Sequence, residues 1–415
     1  MKKSFFSRMS PFFQEKNFSE FHAINDSSFP LKKRNKLKLN LGMYSSINEE
    51  DIVDDVDLIK YFILKQDILA LETCFDIFEK RIFVAKKKKL IVLKMLFPYF
   101  RERVIEYARK NNIYYILSYI DPKYIKYNKS FDRYLLKMNS SVFFDKKVKI
   151  FNEFMRKQDL SEIIFKDKKF CLASMCGVNK KQYFGKKVSI ILTVYNGSEY
   201  IRTSIESILN QDYKNFELIV VDDASDDNTV EILKKYQLKD NRVAVIFLKK
   251  NVGTYKAKNI ALKYANGEYI AFQDADDYSH TSRISSSISL LESKPGLSAV
   301  SSRYVRINNE GQFVSSKGIP LIRWSPLTLV FHRIVIDHLI AFDEVRFGAD
   351  SEFFSRYIAK FGHDSHVILD KVLMFCLDRD NSLMKNNIEF FGFSKPRNVY
   401  QDLYNHRILN NLDRN

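Results

Sequence analysis

The sequence predicts an α/β protein in which a domain built on a mainly parallel sheet follows a mostly helical N-terminal domain. From Val188 onward, short apolar strands alternate with helical segments, which is typical of a parallel sheet with right-handed crossovers. From Met43 through Cys176 there is no glycine, and apolar residues recur largely at steps of three and four, as on the buried face of a helix.

Four segments follow from this division. Residues 1–45 mix aromatic, polar and lysine residues without periodicity, and we predict a loosely ordered basic arm. We predict a helical accessory domain at residues 46–180, the α/β domain at residues 181–384 and a helical C-terminal extension at residues 385–415. A chain of 415 residues with 46% hydrophobic content is long enough for two packed domains.

The net charge of +17 is concentrated in the front part of the chain. Residues 1–180 contain 36 Lys and Arg against 22 Asp and Glu, and the remainder contains 31 against 28. A basic surface attracts an anionic membrane, a polyanionic glycan or nucleic acid, and a merely solvated lysine-rich surface is equally consistent. We expect no nucleic-acid partner, because positive charge is the only feature of the sequence that favours one. The segment 86–103, with four consecutive lysines, fits a membrane-surface helix or an ordinary core-facing helix.

Composition also predicts the compartment. No run of eighteen uncharged apolar residues exists, and the N-terminus has no continuous apolar segment of the kind found in secretory signals. The cysteines show neither zinc-site spacing nor a disulfide framework, so reduced structural thiols are predicted at Cys74, Cys171, Cys176 and Cys376. We expect a cytoplasmic protein, with peripheral association at the inner face of the plasma membrane as an extension of that expectation.

Polar clusters follow three of the four predicted strands of the α/β domain. The strand from Val188 ends at Asn196, the strand from Phe216 ends at Asp222 and Asp223, and the strand from Tyr269 ends at an aspartate cluster. Ligands of open parallel sheets bind at the carboxyl ends of the strands. The sequence therefore predicts one site to which all three clusters contribute.

The aspartate cluster has two interpretations. Asp274 and Asp276 are two residues apart, so on an extended backbone both carboxylates face the same way and can hold a hard divalent cation. The alternative is a strand that ends in a polar turn, where aspartate is common.

The same residues resemble family 2 glycosyltransferases. The resemblance rests on Val188 through Asn196, Ser207 through Gln211, Glu217 through Ser225, Asn251 through Gly253 with Lys258 and Asn259, and Gly267 through Asp277, in the family's order. It implies the GT-A fold and an inverting, metal-dependent enzyme that moves a sugar from a nucleotide diphosphate donor, often a UDP-sugar, to a hydroxyl. The resemblance covers about residues 186–380.

The resemblance also implies roles for individual residues. Thr193 and Tyr195 would line the base site, together with Asn196, and Asp223 would accept a hydrogen bond from uracil while Asp222 shapes the loop. The metal, Mn²⁺ or Mg²⁺, would be held by the two outer aspartates of Asp274-Ala275-Asp276, with Ala275 at the donor and Asp277 behind the ligands. Lys258 stands where the family often has arginine near the nucleotide, and Lys256 is a competing phosphate ligand.

A second acidic motif supplies candidates for the general base. Gly348-Ala349-Asp350-Ser351-Glu352 resembles the family's Glu-Asp motif, with Ala349 in place of the glutamate, so Asp350 takes the role of base and Glu352 is the reserve. The alternative is an ordinary helix N-terminus, where acidic residues are stabilised. Trp324 is a candidate sugar platform, and a further ligand role is considered for His332, Arg333 and His338, each against ordinary packing.

These features predict a glycosyltransferase of surface polysaccharide synthesis, making capsule or lipopolysaccharide. Its partners would be a nucleotide-sugar and a glycan or lipid-linked acceptor, with an anionic membrane surface met by the basic front part. One alternative is a sugar nucleotidyltransferase, although the glycine-rich basic loop that such enzymes use is absent near Thr193. Another is a non-catalytic basic scaffold that binds glycan or membrane.

Overall fold

The computed structural model describes residues 24, 30–81, 84–178, 181–315, 318–339, 341–379 and 395–412. A helical region at residues 31–156 precedes a mixed, mostly parallel α/β domain. The predicted fold class is confirmed.

The front region is built from short amphipathic helices. Asp54 and Asp67 cap two of them, since their carboxylates accept hydrogen bonds from the backbone N–H groups of Val56 (2.9 Å) and Ala70 (3.0 Å). The helices are α1 (Leu31–Leu41), α2 (Asp55–Lys65), α3 (Ile68–Lys80), α4 (Lys86–Leu96), α5 (Arg101–Lys110), α6 (Tyr114–Leu117), α7 (Asp132–Asn139) and α8 (Phe144–Arg156).

The structure describes part of the predicted basic arm and the whole of the lysine-rich helix. Within the predicted basic arm, α1 is helical and ends at Gly42, whose φ of 79° is the left-handed conformation that glycine favours; residues 1–23 and 25–29 lie outside the described residues. The lysine-rich helix α4 buries Val92, Leu93 and Leu96 completely, so it faces the core. None of the described helices is long and apolar enough to cross a membrane.

The α/β domain is organised around one ten-stranded sheet. Its strands are β3 (Val188–Val194), β4 (Phe216–Asp222), β5 (Val243–Phe247), β6 (Tyr269–Asp274), β7 (Tyr278–Ser279), β8 (Ala299–Ile307), β9 (Phe313–Val314), β10 (Arg323–Trp324), β11 (Val330–His332) and β12 (His366–Leu377). A separate antiparallel pair is formed by β1 (Ile163–Phe165) and β2 (Met175–Gly177).

The strand order is β5-β4-β3-β6-β11-β8-β12-β7, with β9 and β10 paired to β8. Strands β5, β4, β3 and β6 are parallel, as predicted, and begin at the predicted residues. Strand β11, which was not predicted from the sequence, is antiparallel to both β6 and β8 and joins the two halves of the sheet. A three-residue strand gives too short a pattern to be recognised locally.

Helices cover both faces of the sheet. Alternate residues of β3 point to opposite sides: Ile190 packs in a cluster with α9 (Ile201–Leu209) and α12 (Arg283–Ser293), whereas Ile191 packs in a cluster with α11 (Thr254–Leu262) and α14 (Ala349–Phe361). The helices α10 (Thr229–Lys239) and α13 (Ile334–Leu339) also belong to this domain.

The helical region packs directly on the second half of the sheet. The ring of Phe151 in α8 lies 5.5 Å from that of Phe375 in β12, within one shared hydrophobic cluster. The buried carboxylate of Asp132 accepts hydrogen bonds from the N–H groups of Leu321 (2.7 Å) and Ile322 (3.1 Å). A last helix, α15 (Lys395–Leu412), packs on α14, α1 and α2. The front region thereby supports the segment that leads into β10.

Candidate active site

A cleft of about 1120 Å³ opens at the carboxyl ends of β3, β4 and β6. Strand register explains why the predicted polar clusters meet there, because Val194 is paired with Asp222 and Thr193 with Asp274. The second half of the sheet contributes Tyr304, Arg306, Val314, Ser315, Arg323 and Trp324 to the lining.

Asp223 holds the loop that leads into α11. Its two carboxylate oxygens accept hydrogen bonds from the backbone N–H groups of Val252 (2.7 Å) and Gly253 (2.8 Å). Gly253 has a φ of 88°, which favours glycine. Each carboxylate oxygen retains a lone pair that can accept a further donor. Asp223 therefore lines the cleft while also fixing its wall.

The other residues predicted for the base site lie beside this loop. The hydroxyl of Thr193 is 2.8 Å from that of Thr254, and the Tyr195 side chain is half exposed in the cleft, with a ring face available for stacking. The amide oxygen of Asn196 accepts a hydrogen bond from the N–H of Asp226 (3.0 Å). Asp222 is buried outside the cleft lining and accepts from the Ser225 N–H at 3.2 Å.

Two of the three clustered aspartates are paired with cations in the cleft. The ammonium of Lys258 lies 3.3 Å from Oδ1 of Asp274, and Nε of Arg379 lies 2.8 Å from Oδ2 of Asp276. The Lys258 side chain is buried, and its ammonium lies within 5.6 Å of the ring centroids of Tyr255 and Phe272. The competing candidate Lys256 pairs instead with Glu344.

Asp277 has a different environment from its neighbours. It is buried, and its Oδ1 accepts a hydrogen bond from the N–H of Leu377 (3.2 Å). Burial, followed by the negative charges of Asp276 and Asp274, raises the pKa of Asp277 well above its usual range. Its hydrogen bond with Leu377 links the turn after β6 to the end of β12.

Helix α14 places the two acidic residues of the second motif in different environments. Asp350, in the first turn of α14, lines the cleft and accepts a hydrogen bond from the Tyr255 hydroxyl (3.0 Å). Burial raises the pKa of that hydroxyl well above its usual range, and the Asp350 charge adds to the effect, so Tyr255 remains a donor. Glu352 is fully buried and pairs with Arg356 (2.6 Å) and Arg407 (2.9 Å). The structure brings Asp350 into the cleft and leaves Glu352 outside its lining.

Of the remaining candidates, one lines the cleft and three do not. Trp324 lines the cleft, and its ring is 4.9 Å from that of Phe354. His332 lies 3.2 Å from Glu268, His338 bonds to the Ile334 carbonyl oxygen, and Arg333 donates to the Ala265 carbonyl oxygen; none of these three lines the cleft.

Sequence reasoning missed the arginines of the cleft. Arg379 lies two residues after the last residue of β12, and Arg306 is near the end of β8, so both stand at strand ends of the second half of the sheet. Arg379 also stacks on Tyr200, with 5.0 Å between the guanidinium and the ring centroid. A search for basic residues at every strand end would have found both.

Comparison with known proteins identifies relatives of the α/β domain. A family model described as Glycosyl transferase family 2 matches residues 189–348. UDP-Glc:alpha-D-GlcNAc-diphosphoundecaprenol beta-1,3-glucosyltransferase WfaP of Escherichia coli is 42% identical over 118 residues, which cover 28% of this chain and 46% of that protein. The putative teichuronic acid biosynthesis glycosyltransferase TuaG of Bacillus subtilis is 43% identical over 90 residues, which cover 22% and 36%.

Among solved structures, S. aureus TarS 1-349 in complex with UDP-GlcNAc aligns with a TM-score of 0.40 and 26% identity, over 47% of this chain and 60% of that one. The chain spans less than half the length of the two relatives that it matches in sequence. The resemblance found in the sequence is confirmed by the family match, and residues 189–348 form a glycosyl transferase family 2 domain.

Proposed function

We propose that this chain is a metal-dependent, inverting glycosyltransferase that uses a UDP-sugar and acts in surface polysaccharide synthesis. One observation above all supports the proposal: a base-site carboxylate (Asp223), a carboxylate pair (Asp274 and Asp276) and a further carboxylate (Asp350) line one cleft at the carboxyl edge of the sheet. A large cleft with a few convergent polar groups is the usual form of a small-molecule site.

The donor nucleotide would occupy the half of the cleft next to the Asp223 loop. Tyr195 offers an aromatic face to the base, and the free lone pairs of Asp223 can accept the N–H of uracil. Thr193, Asn196 and the backbone of Ala275 complete this wall. Lys258, buried with its ammonium at the cleft, is suited to neutralising a phosphate.

The aspartate pair fits Mn²⁺ or Mg²⁺. Both ions prefer oxygen ligands, and each carboxylate of Asp274 and Asp276 has a second oxygen beyond the one that meets Lys258 or Arg379. Two protein carboxylates leave other ligand positions to water and to donor phosphates. When bound, the metal would supply positive charge that stabilises the departing nucleotide diphosphate.

Asp350 would act as the general base. An acceptor hydroxyl loses its proton to the Asp350 carboxylate as its oxygen bonds to the anomeric carbon, while the bond from that carbon to the diphosphate oxygen breaks. Attack from the side opposite the leaving group inverts the anomeric configuration. The hydrogen bond from Tyr255 orients the carboxylate towards the cleft.

The acceptor would lie against the residues that the second half of the sheet contributes to the cleft, which we call the acceptor half: Tyr304, Arg306, Val314, Ser315, Arg323 and Trp324. The name of the E. coli relative specifies a diphosphoundecaprenol-linked acceptor, and that of the B. subtilis relative specifies teichuronic acid biosynthesis. Arg306 and Arg323 give this wall positive charge, and Trp324 gives it an aromatic side chain. We therefore propose a lipid-linked glycan acceptor, reached from the cytoplasmic face of the membrane.

A donor screen tests the proposal. Purified protein is incubated with individual UDP-sugars, Mn²⁺ or Mg²⁺ and lipid-linked acceptors, and release of UDP is measured. We expect release with one donor that depends on metal and acceptor, and its loss in Asp276→Asn but not in the cleft-lining control Glu344→Gln. Silence with every UDP-sugar and acceptor contradicts the proposal. Pyrophosphate release from UTP and a sugar phosphate would indicate the nucleotidyltransferase instead.

A further inference from the structure

The turn between α7 and α8 presents two large apolar side chains to solvent. Val142 is 87% exposed and Phe143 is 70% exposed, although they are adjacent in the chain. Single exposed apolar residues are common on protein surfaces, but neighbouring ones form a patch that usually has a binding partner.

The strand β1 adjoins this turn. Its residue Ile164 is 57% exposed, and the residues that follow Ile164 and Phe143 are in contact, since the ring centroids of Phe144 and Phe165 lie 6.5 Å apart. We call Val142 and Phe143 the apolar tip.

Lysines flank the apolar tip in the sequence and in the adjoining segment. The segments 142–149 and 164–169 together contain six lysines and two aspartates, Asp145 and Asp167. The lysines are Lys146, Lys147, Lys149, Lys166, Lys168 and Lys169, of which Lys147 is half-buried and the others are exposed. Exposed apolar side chains with lysines nearby match a bilayer whose surface is anionic and whose interior is apolar.

The apolar tip is connected to the cleft. Three residues before Val142, the amide of Asn139 makes two hydrogen bonds of 2.7 Å with the backbone N–H and C=O of Phe313. The next two residues along the chain, Val314 and Ser315, line the acceptor half. Any partner that binds the apolar tip is therefore close to the wall at which the proposed acceptor binds.

We propose that the apolar tip and its lysines dock the chain on an anionic lipid bilayer, with the acceptor half of the cleft near the lipid. The docking itself does not depend on the proposed transferase activity, whereas its use for presenting a lipid-linked acceptor rests on that function. The charge favours acidic phospholipid as the occupant, since the six lysines outnumber the two aspartates and complement anionic headgroups while the apolar side chains enter the bilayer.

Vesicle flotation with the full chain tests the docking. The probes are vesicles of phosphatidylcholine alone and vesicles in which part of it is replaced by phosphatidylglycerol. We expect binding to the second kind, and Val142→Ser with Phe143→Ser should weaken it by about tenfold or more, because two apolar side chains no longer enter the bilayer. Both positions are exposed, so the fold should tolerate the change.

Helix α10 provides a matched control on the other edge of the sheet. Leu238 is 90% exposed there, three residues after Lys235 and directly before Lys239, which are both exposed, so Leu238→Ser removes a comparable apolar side chain elsewhere. Vesicle binding should be unchanged in this variant. Equal binding by the tip variant and the control, or failure of the unaltered chain to bind anionic vesicles, would overturn the proposal.

A second pair of double variants tests the contribution of the lysines to vesicle binding. Lys146→Gln with Lys149→Gln should weaken binding by about fivefold for each lysine at low salt, whereas Lys235→Gln with Lys239→Gln in α10 should not. Release of UDP with a water-soluble acceptor should stay unchanged in the tip and lysine variants, so loss of docking and failure of the proposed chemistry are distinguishable. Binding to phosphatidylcholine as strong as to anionic vesicles would contradict the charge argument.

Discussion

Nε of Arg379 lies 2.8 Å from Oδ2 of Asp276, so the chain itself places a cation on one of the two carboxylates proposed to hold the metal. Lys258 stands in the same relation to Asp274, at 3.3 Å. The two pairs differ in burial: the Arg379 side chain is 32% exposed and the Lys258 side chain 7%. Arg379 is therefore the cation that can leave more easily when a divalent ion arrives.

Removing Arg379 should strengthen metal binding in the absence of donor. In Arg379→Ala the metal no longer competes with the guanidinium, and a partly exposed pair is worth about 1 kcal/mol or less, so affinity should rise by up to about fivefold. Titration of Mn²⁺ followed by electron paramagnetic resonance measures it. Arg397→Ala, which removes another cleft-lining arginine, is the control. Unchanged or weaker Mn²⁺ binding in Arg379→Ala would contradict the competition.

Asp350→Asn should abolish transfer without affecting the donor. The amide cannot accept the acceptor's proton, so kcat should fall by about 10²- to 10⁴-fold. The dissociation constant of UDP, measured by calorimetry, should stay the same, because Asp350 contacts Tyr255 rather than the base-site loop. A variant with normal turnover would remove Asp350 from the role of base.

Glu352→Gln should lower stability and leave the chemistry intact. Its carboxylate is buried between Arg356 and Arg407, and its loss leaves two cations with a neutral partner. Because Arg407 is half exposed and water can replace part of the pairing, we expect a loss of about 1–3 kcal/mol in the free energy of unfolding. Urea denaturation and kcat are compared in the same variant. A large fall in kcat at unchanged stability would return Glu352 to the catalytic candidates.

Asp223→Asn should loosen the nucleotide site. An amide NH₂ would face one of the two backbone N–H groups that the carboxylate now satisfies, so the loop at Val252 and Gly253 should open. We expect UDP binding to weaken by about tenfold, with less discrimination between UDP and other nucleoside diphosphates. Asp226→Asn removes a nearby exposed charge and should change neither quantity. Equal UDP affinity in both variants would contradict the role of Asp223.

Stability should fall in mild acid through the buried histidine His280. Its Nε2 faces the Ser161 carbonyl oxygen (3.0 Å) and its Nδ1 accepts from the Ser282 N–H (3.1 Å), an arrangement that suits the neutral ring. Burial lowers the pKa of His280 from 6.5 to about 4. The unfolded chain therefore takes up the proton first, and the folded state loses up to about 3 kcal/mol as the pH falls from 6.5 to 4.

Thermal unfolding across that range measures this loss. Tm of His280→Gln should depend less steeply on pH than Tm of the unaltered chain between pH 6.5 and 4, and the two slopes should agree above pH 7. The exposed His338→Gln is the control and should reproduce the slope of the unaltered chain. Parallel slopes in all three proteins would show that His280 is not responsible.

The local parts of the fold and site were predictable because their signals are contiguous. Four strands with their intervening helices, and the aspartates that follow β4 and β6, each lie within one short stretch of residues. Parallel pairing aligns strand ends, so the meeting of Thr193, Asp223 and Asp274 in one cleft followed from the alternation of strands and helices.

The sequence by itself thus determined the α/β alternation, the family resemblance and the edge of the sheet at which the site lies. Only the tertiary structure decided which acidic and basic side chains enter the cleft. Asp350 and Glu352, two residues apart on a helix, point about 200° apart, and α15 then binds Glu352 through Arg407 from 55 positions later. Arg379 likewise pairs with Asp276, although 103 positions separate them in the chain. The order of the strands in the sheet, not the distance along the chain, decides which side chains are neighbours.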